Sequence, residues 1–345
     1  MPLRLSPGAE QLRPVAPTRR PAGAPSPPVA LRDLPLLTWL PVGAMLALLG
    51  LGLLDPSGAA RLALPIALAG ALVGVPHGAV DHLVPRSLGP AAGRRPGPGP
   101  GTARFVAAYA AVALAALAAY LLAPTPMLVV FLGLSAVHFG RGEVVAAAER
   151  AGRPVPGLGA EWAMTTAFGA GVVGLLLWAR PASVEPYLRP VSPWLADVAS
   201  DVRPAGLVVV TAAAVVGAGS ALGRRRPTEA AELVLVLTTF AAVPPLAAFG
   251  LYFGSWHALR HTGRLLDLAR EHERAAGRAD PGWAAAARVV ARASLVPTVV
   301  AVAAMGALWW WGRGAGLPAE VAVLLALTFP HAAVVWGLDR RAARR

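Results

Sequence analysis

Seven histidines punctuate an otherwise apolar chain, with no cysteine and no lysine beside them. Thiolate metal sites and Schiff-base chemistry are therefore excluded, and imidazole is the donor left for a metal. His257 and His261 stand four apart in Trp-His-Ala-Leu-Arg-His, which puts both rings on one helix face, able to chelate one ion. Asp81 follows His77 by four. Its carboxylate shares that face and can take the second imidazole N–H, fixing the tautomer. Imidazole suits Zn, Cu, Fe and Ni. A closed tetrahedral set would hold a structural zinc, whereas four imidazoles around iron would leave two octahedral positions open for dioxygen or substrate. A lone histidine in a helical bundle can equally bond a backbone carbonyl, so no single one decides between these readings.

The elements that must carry these side chains are membrane helices. Of 345 residues, 56% are hydrophobic and 14% charged, against about 25% charged in a soluble domain. Apolar runs of about 20 residues recur from Leu34 to Leu338, each long enough to cross a hydrocarbon core of about 30 Å. They are apolar all round and rich in Ala and Leu, which excludes the alternating pattern of a barrel strand. The predicted fold is an all-α polytopic bundle of about ten spans. They fall near residues 35–54, 61–84, 104–123, 126–147, 160–179, 204–222, 229–243, 246–268, 290–312 and 318–338. Pro244 and Pro245 separate the seventh from the eighth, and reading those two as one broken segment gives nine. Residues 1–33, rich in Pro and Arg, read as a disordered tail, and 34–340 as a single transmembrane catalytic domain.

The formal charge of +13 sits between the apolar runs, the distribution of the positive-inside bias and not of a nucleic-acid footprint. Ten spans put the N-terminal arginines, Arg94, Arg95, Arg150, Arg153, Arg224 to Arg226, Arg264, Arg270, Arg274 and the C-terminal arginines on one side. Both termini are then cytoplasmic and the chain is a multi-pass cell-membrane protein. Trp309 to Trp311 fall at the outer end of the ninth span, where an aromatic belt belongs. His77, His138, His257, His261 and His331 all lie on even-numbered spans. Each is about 11–16 residues from the outer end, hence within roughly 8 Å of the others in depth. Imidazoles at one level on parallel helices can converge on one metal.

Four boxes now become specific. Gly74-Val75-Pro76-His77-Gly78-Ala79-Val80-Asp81-His82 resembles the Pro-His-Gly-Ala-x-Asp signature of the Brp/Blh family of membrane β-carotene 15,15′-dioxygenases. His138-Phe139-Gly140 resembles the family's second box. Tyr252-Phe253-Gly254-Ser255-Trp256-His257-Ala258-Leu259-Arg260-His261 resembles the third, and Phe329-Pro330-His331 resembles a Pro-His near the family's C-terminus.

The resemblance implies that His77, His138, His257 and His261 bind one Fe(II) and are the catalytic set. It implies cleavage of the central double bond of β-carotene by dioxygen to two retinal molecules, with a rhodopsin as a recipient of the product. The substrate is an apolar polyene dissolved in the lipid bilayer, so a tunnel opening sideways would admit it. Asp81 and His331 are expected beside the ligands or in the pocket. Phe139, Tyr252, Phe253, Trp256 and Phe329 are expected to line the tunnel. His82, five residues after His77, points about 140° away on a helix and is not carried over. Glu143 is a possible acceptor supporting the site. Three other classes compete. A di-iron desaturase needs about eight histidines or more, too many for this chain. A membrane haem b protein would use a facing pair such as His77 and His257. A transporter of an apolar or metal substrate would show internal repeats, and no clear repeat is present.

Overall fold

The computed structural model describes residues 30–84, 100–157, 159–275, 282–312 and 319–344, and among them every regular element is helical. In chain order these are α1 (Ala30–Asp33), α2 (Leu36–Leu54), α3 (Pro56–Arg61), α4 (Ala63–Ala79) and a 3₁₀ turn (Asp81–Leu83). Then come α5 (Pro100–Leu122), α6 (Pro124–Arg150), α7 (Trp162–Trp178), α8 (Pro181–Leu188), α9 (Pro193–Asp201) and α10 (Arg203–Gly223). The last group is α11 (Pro227–Ala242), α12 (Pro245–Leu251), a π-helix (Tyr252–His257), α13 (Ala258–Ala275), α14 (Trp283–Gly312) and α15 (Ala319–Ala342). Proline opens many of them, because the first helical position needs no N–H and has the proline φ already.

Leucines and valines on the outer faces of α2, α4, α5, α10 and α14 are exposed, as lipid contact requires. Among the described residues seven helices are long and apolar enough to cross a membrane: α2, α4 with its 3₁₀ turn, α5, α6, α10, α14 and α15. The bent pair α7–α8, broken by 87°, makes eight at most. The expectation of ten is not confirmed. The differences lie at α7, α11 and the α12–π–α13 unit. Helix α11 has only 16 residues and carries Glu229 and Glu232 in its opening turns. Helix α13 is strongly polar. Helices α7 and α13 are largely buried, whereas α11 buries one face and exposes Val234 on the other.

The alternation of direction survives this correction. At one end, Arg150 of α6 holds Glu232 of α11 at 2.5 Å, Arg226 holds Glu161 before α7 at 2.5 Å, and Arg153 pairs with Glu229. At the same end Asp267 of α13 accepts from the Ala30 N–H at 3.1 Å, and Asp339 of α15 pairs with Arg264 at 2.8 Å. Ala30, Leu265 and Leu338 share a buried cluster there, so α1 and the C-terminal end of α15 lie together. At the other end Arg203 donates to the Trp178 carbonyl at 2.9 Å, and Arg180 to that of Ala242. Of the stretch expected as a disordered tail, Ala30–Asp33 is helical and packs on α13, and residues 1–29 lie outside the described residues.

Two helix pairs that fix the site meet backbone to backbone. A Cβ at Gly70 of α4 would overlap the Gly250 carbonyl of α12, and one at Gly254 in the π-helix would overlap the backbone of Gly70. Only glycine permits that approach, which is how small residues pack membrane helices.

Candidate metal centre

Five buried histidines converge: His77 on α4, His138 on α6, His257 at the end of the π-helix, His261 on α13 and His331 on α15. Four of the rings form a closed circuit of neighbours. His77 to His257 is 5.4 Å between centroids, His257 to His138 is 5.0 Å, His138 to His331 is 5.1 Å, and His331 to His77 is 4.9 Å. His261 caps one edge, 5.4 Å from His77 and 5.5 Å from His331. Donor atoms of His77, His257 and His331 lie within 4.8 Å of one another. The common depth expected of all five is what the structure shows, and His331 is a member of the cluster.

Hydrogen-bond partners set the tautomers. His77 Nδ1 meets the Gly74 carbonyl, which can only accept, so Nδ1 carries the proton and Nε2 the lone pair. His331 Nδ1 donates to Asp81 Oδ2 at 2.9 Å, which leaves its Nε2 as the lone-pair atom. That Nε2 is buried and unpartnered, as are His261 Nε2 and His138 Nδ1. His138 Nε2 and His257 Nε2 stand 3.2 Å apart. Two imidazoles bound to one first-row metal at about 2.1 Å have donor atoms roughly 3.0–3.4 Å apart, so this pair fits a shared ion. Buried lone pairs without donors are costly; a divalent cation would satisfy those on Nε2 of His261 and His331 together with the His138 and His257 pair, His138 Nδ1 then carrying its ring's proton.

Helix spacing predicts that Asp81 orients His77; the structure shows it holding His331 instead, and Tyr109 of α5 donates to the same carboxylate oxygen at 3.1 Å. The reason is rotation at the helix end. Helix α4 stops at Ala79, and Asp81 begins a 3₁₀ turn that swings its side chain towards α15. His82 stands outside the ring circuit, its Nδ1 3.2 Å from the Ala79 carbonyl, although it lines the same cavity.

The π-helix sorts its aromatics onto two sides. Phe253 and His257 face a cavity. Tyr252 and Trp256, completely buried, turn away from it and donate to Glu143 at 3.1 and 2.8 Å. Arg260 completes the Glu143 shell at 2.8 Å and reaches Glu232 at 3.1 Å. A π-turn often marks a functional site, and here it places His257 and the aromatics that bond Glu143 on opposite faces. Further towards the arginine-rich end, Arg264 bridges Glu149 (3.0 Å) and Asp339 (2.8 Å). Charge placement predicts Arg264 in a cytoplasmic loop; it is buried, because its ionic partners come from α6 and α15.

The cavity measures about 780 Å³ and is almost wholly apolar. Phe105 and Tyr109 of α5, Phe131 and Phe139 of α6, Phe249 and Phe253 line it, and His77, His138, His257 and His331 stand in its wall. Tyr252, Trp256 and Phe329, expected as lining, are not part of it. Phe329 packs into a separate cluster with Leu128 and Leu325. Val106 and Leu114 on α5 and Val296 and Val300 on α14 line the cavity and are themselves exposed. Its mouth therefore opens sideways, between α5 and α14, onto the apolar flank.

Comparison with known proteins decides what this centre belongs to. The family model described as beta-carotene 15,15'-dioxygenase matches residues 68–339. This chain belongs to that family. The family's members are oxidoreductases, and the matched stretch contains all five clustered histidines. The protein named "Probable beta-carotene 15,15'-dioxygenase Blh" of Halobacterium salinarum is 28% identical over 337 residues, covering 88% of this chain and 91% of that one. No solved structure matches the chain. Tyr109, Phe105, Phe131 and Phe249 are the site residues that sequence reasoning missed. They sit in apolar spans without a motif around them.

Proposed function

We propose that this membrane enzyme cleaves the central 15,15′ double bond of β-carotene with dioxygen, giving two molecules of retinal. Its metal would be a non-haem Fe(II) on His77, His138, His257 and His261. The observation that carries the reading is a set of buried imidazoles with unpartnered nitrogens in the wall of an apolar cavity open to lipid. The reaction balances without another reductant. One C=C and the O=O bond break, and two C=O bonds form.

The chain's own residues supply position and dryness. The sideways mouth admits a polyene from the bilayer. The rings of Phe131, Phe139, Phe249 and Phe253 flank it and hold its middle against the histidines, so that the reacting bond is the one presented. The apolar lining excludes water from the reacting carbons. Iron, when bound, supplies the activation of dioxygen that side chains cannot. Retinal leaves by the same mouth into lipid, where a rhodopsin can take it up. The arginine-rich end is assigned to the cytoplasm by charge bias. Against a porphyrin between His77 and His257 stand the rings of His138, His261 and His331, each 4.9–5.4 Å from one or other of that pair.

The test is expression in a β-carotene-producing bacterium. Pigment should fade and retinal accumulate. Purified protein stripped with a chelator should be inactive and regain activity with Fe(II). Folded protein in the membrane with pigment unchanged and no retinal would sink the proposal.

A further inference from the structure

We infer that His331 is a further ligand of the metal centre, its ring held for that task by Asp81 and Tyr109. The inference rests on the metal reading above and deepens it. Three helical stretches, α4, α6 and the π-helix running into α13, carry the four histidines already assigned; His331 comes from a fourth, the last helix of the chain.

The geometry gives His331 as strong a place as the others. Its ring touches those of His77, His138 and His261, and without it the circuit of rings is open between His77 and His138. Its donor atom belongs to the tight trio with His77 and His257. The chemistry points the same way. The Asp81 carboxylate fixes the proton on Nδ1, so Nε2 presents a lone pair in a buried place where it has no hydrogen-bond donor. A packing histidine would find a donor for that nitrogen. Carboxylate–histidine–metal is the arrangement that both orients a ligand ring and raises its basicity. Tyr109, donating to the same carboxylate oxygen, keeps Asp81 from turning away. The four neutral imidazoles assigned by resemblance bring no charge to offset a divalent ion. Asp81, through His331, brings a negative charge close to it. Five imidazoles leave one octahedral position open where four leave two.

The test uses full-length protein in detergent, reconstituted anaerobically with Fe(II) and examined by metal analysis and by the electron paramagnetic resonance of its nitric oxide adduct. H331A should lower Fe(II) affinity by more than the roughly 10- to 100-fold that loss of a ligand's supporting partner costs and change the resonance signal, and added imidazole should restore both. D81N, which leaves the ring in place with a weaker acceptor, should shift both readouts in the same direction by less. It carries the test alone if H331A does not accumulate. G50A, where a methyl group would meet nothing within 4 Å, should match wild type in both. The inference is overturned if H331A, or D81N standing in for it, binds Fe(II) with wild-type affinity and an unchanged signal, even when turnover falls; His331 is then pocket wall only. A wild-type protein that takes up no Fe(II) would overturn the metal reading as well, which separates the two failures.

Discussion

Alanine at Gly70 would put a methyl group where the Gly250 carbonyl now lies. Non-bonded carbon contacts need about 3.5 Å, so α4 and α12 would have to part by roughly 1–2 Å. No rotamer can absorb this, because the obstacle is backbone, and the backbones meet again at Gly254. Overpacking of this kind costs about 1–3 kcal/mol, which a folded bundle can survive. The site is less tolerant. His77 lies seven residues beyond Gly70, and His257 seven beyond Gly250, so separating the glycines separates the rings. A misplacement of about 1 Å costs on the order of 100-fold in rate. Retinal formation by G70A, measured by chromatography and normalised to monodisperse protein, should fall by about that factor. Gly50 is the comparison: a methyl group there would meet nothing within 4 Å, and G50A should be neutral. A G70A enzyme within about threefold of wild type would refute the idea that the glycine contact sets the spacing of the histidines.

Glu143→Ala leaves Tyr252, Trp256 and Arg260 without their shared acceptor and should destabilise the protein by about 3–5 kcal/mol; an unchanged unfolding midpoint in detergent would count against the role assigned to it. Leu114→Trp or Val296→Trp at the cavity mouth should cut cleavage of membrane-dissolved β-carotene about 10-fold with iron content unchanged, since about 1.4 kcal/mol of lost access corresponds to that factor. Cleavage at the wild-type rate would place the entrance elsewhere. Reporter fusions at Arg345 and within residues 1–29 should both report the cytoplasm, and a periplasmic signal from either would overturn the assignment of the arginine-rich end.

The histidines are legible in the sequence because depth along a helix is counted in residues. His77, His138, His257, His261 and His331 can be set at one level before any helix is placed. Facing is a different matter. Whether Asp81 meets His77 or His331 depends on where α4 ends and the 3₁₀ turn begins, and hydropathy carries no trace of that. Tyr252 and Trp256 read as tunnel wall because an aromatic run before a ligand looks like one; the π-turn redirects them to Glu143. Apolar length alone does not confirm α11 and α13 as spans. Their arginines and glutamates are buried against partners far away in the chain, such as Arg264 against Glu149 and Asp339. A single sequence shows each charge and not the one that neutralises it.

That last pairing also orders biogenesis. Helix α13, with Arg260 and Arg264 at its start, is too polar to rest in lipid by itself, since an arginine at the helix centre costs about 2.5–3.5 kcal/mol to insert. Glu143 and Glu149 are already in place on α6 when it emerges, but Asp339 arrives only with the final helix. A chain halted before α15 would keep Glu149 but lack Asp339, the second counter-charge for Arg264, and the Pro330-His331 edge of the ring circuit. The cluster of buried imidazoles is thereby closed only once α15 has been made, and a chain cut before it lacks the ring that joins His77 to His138.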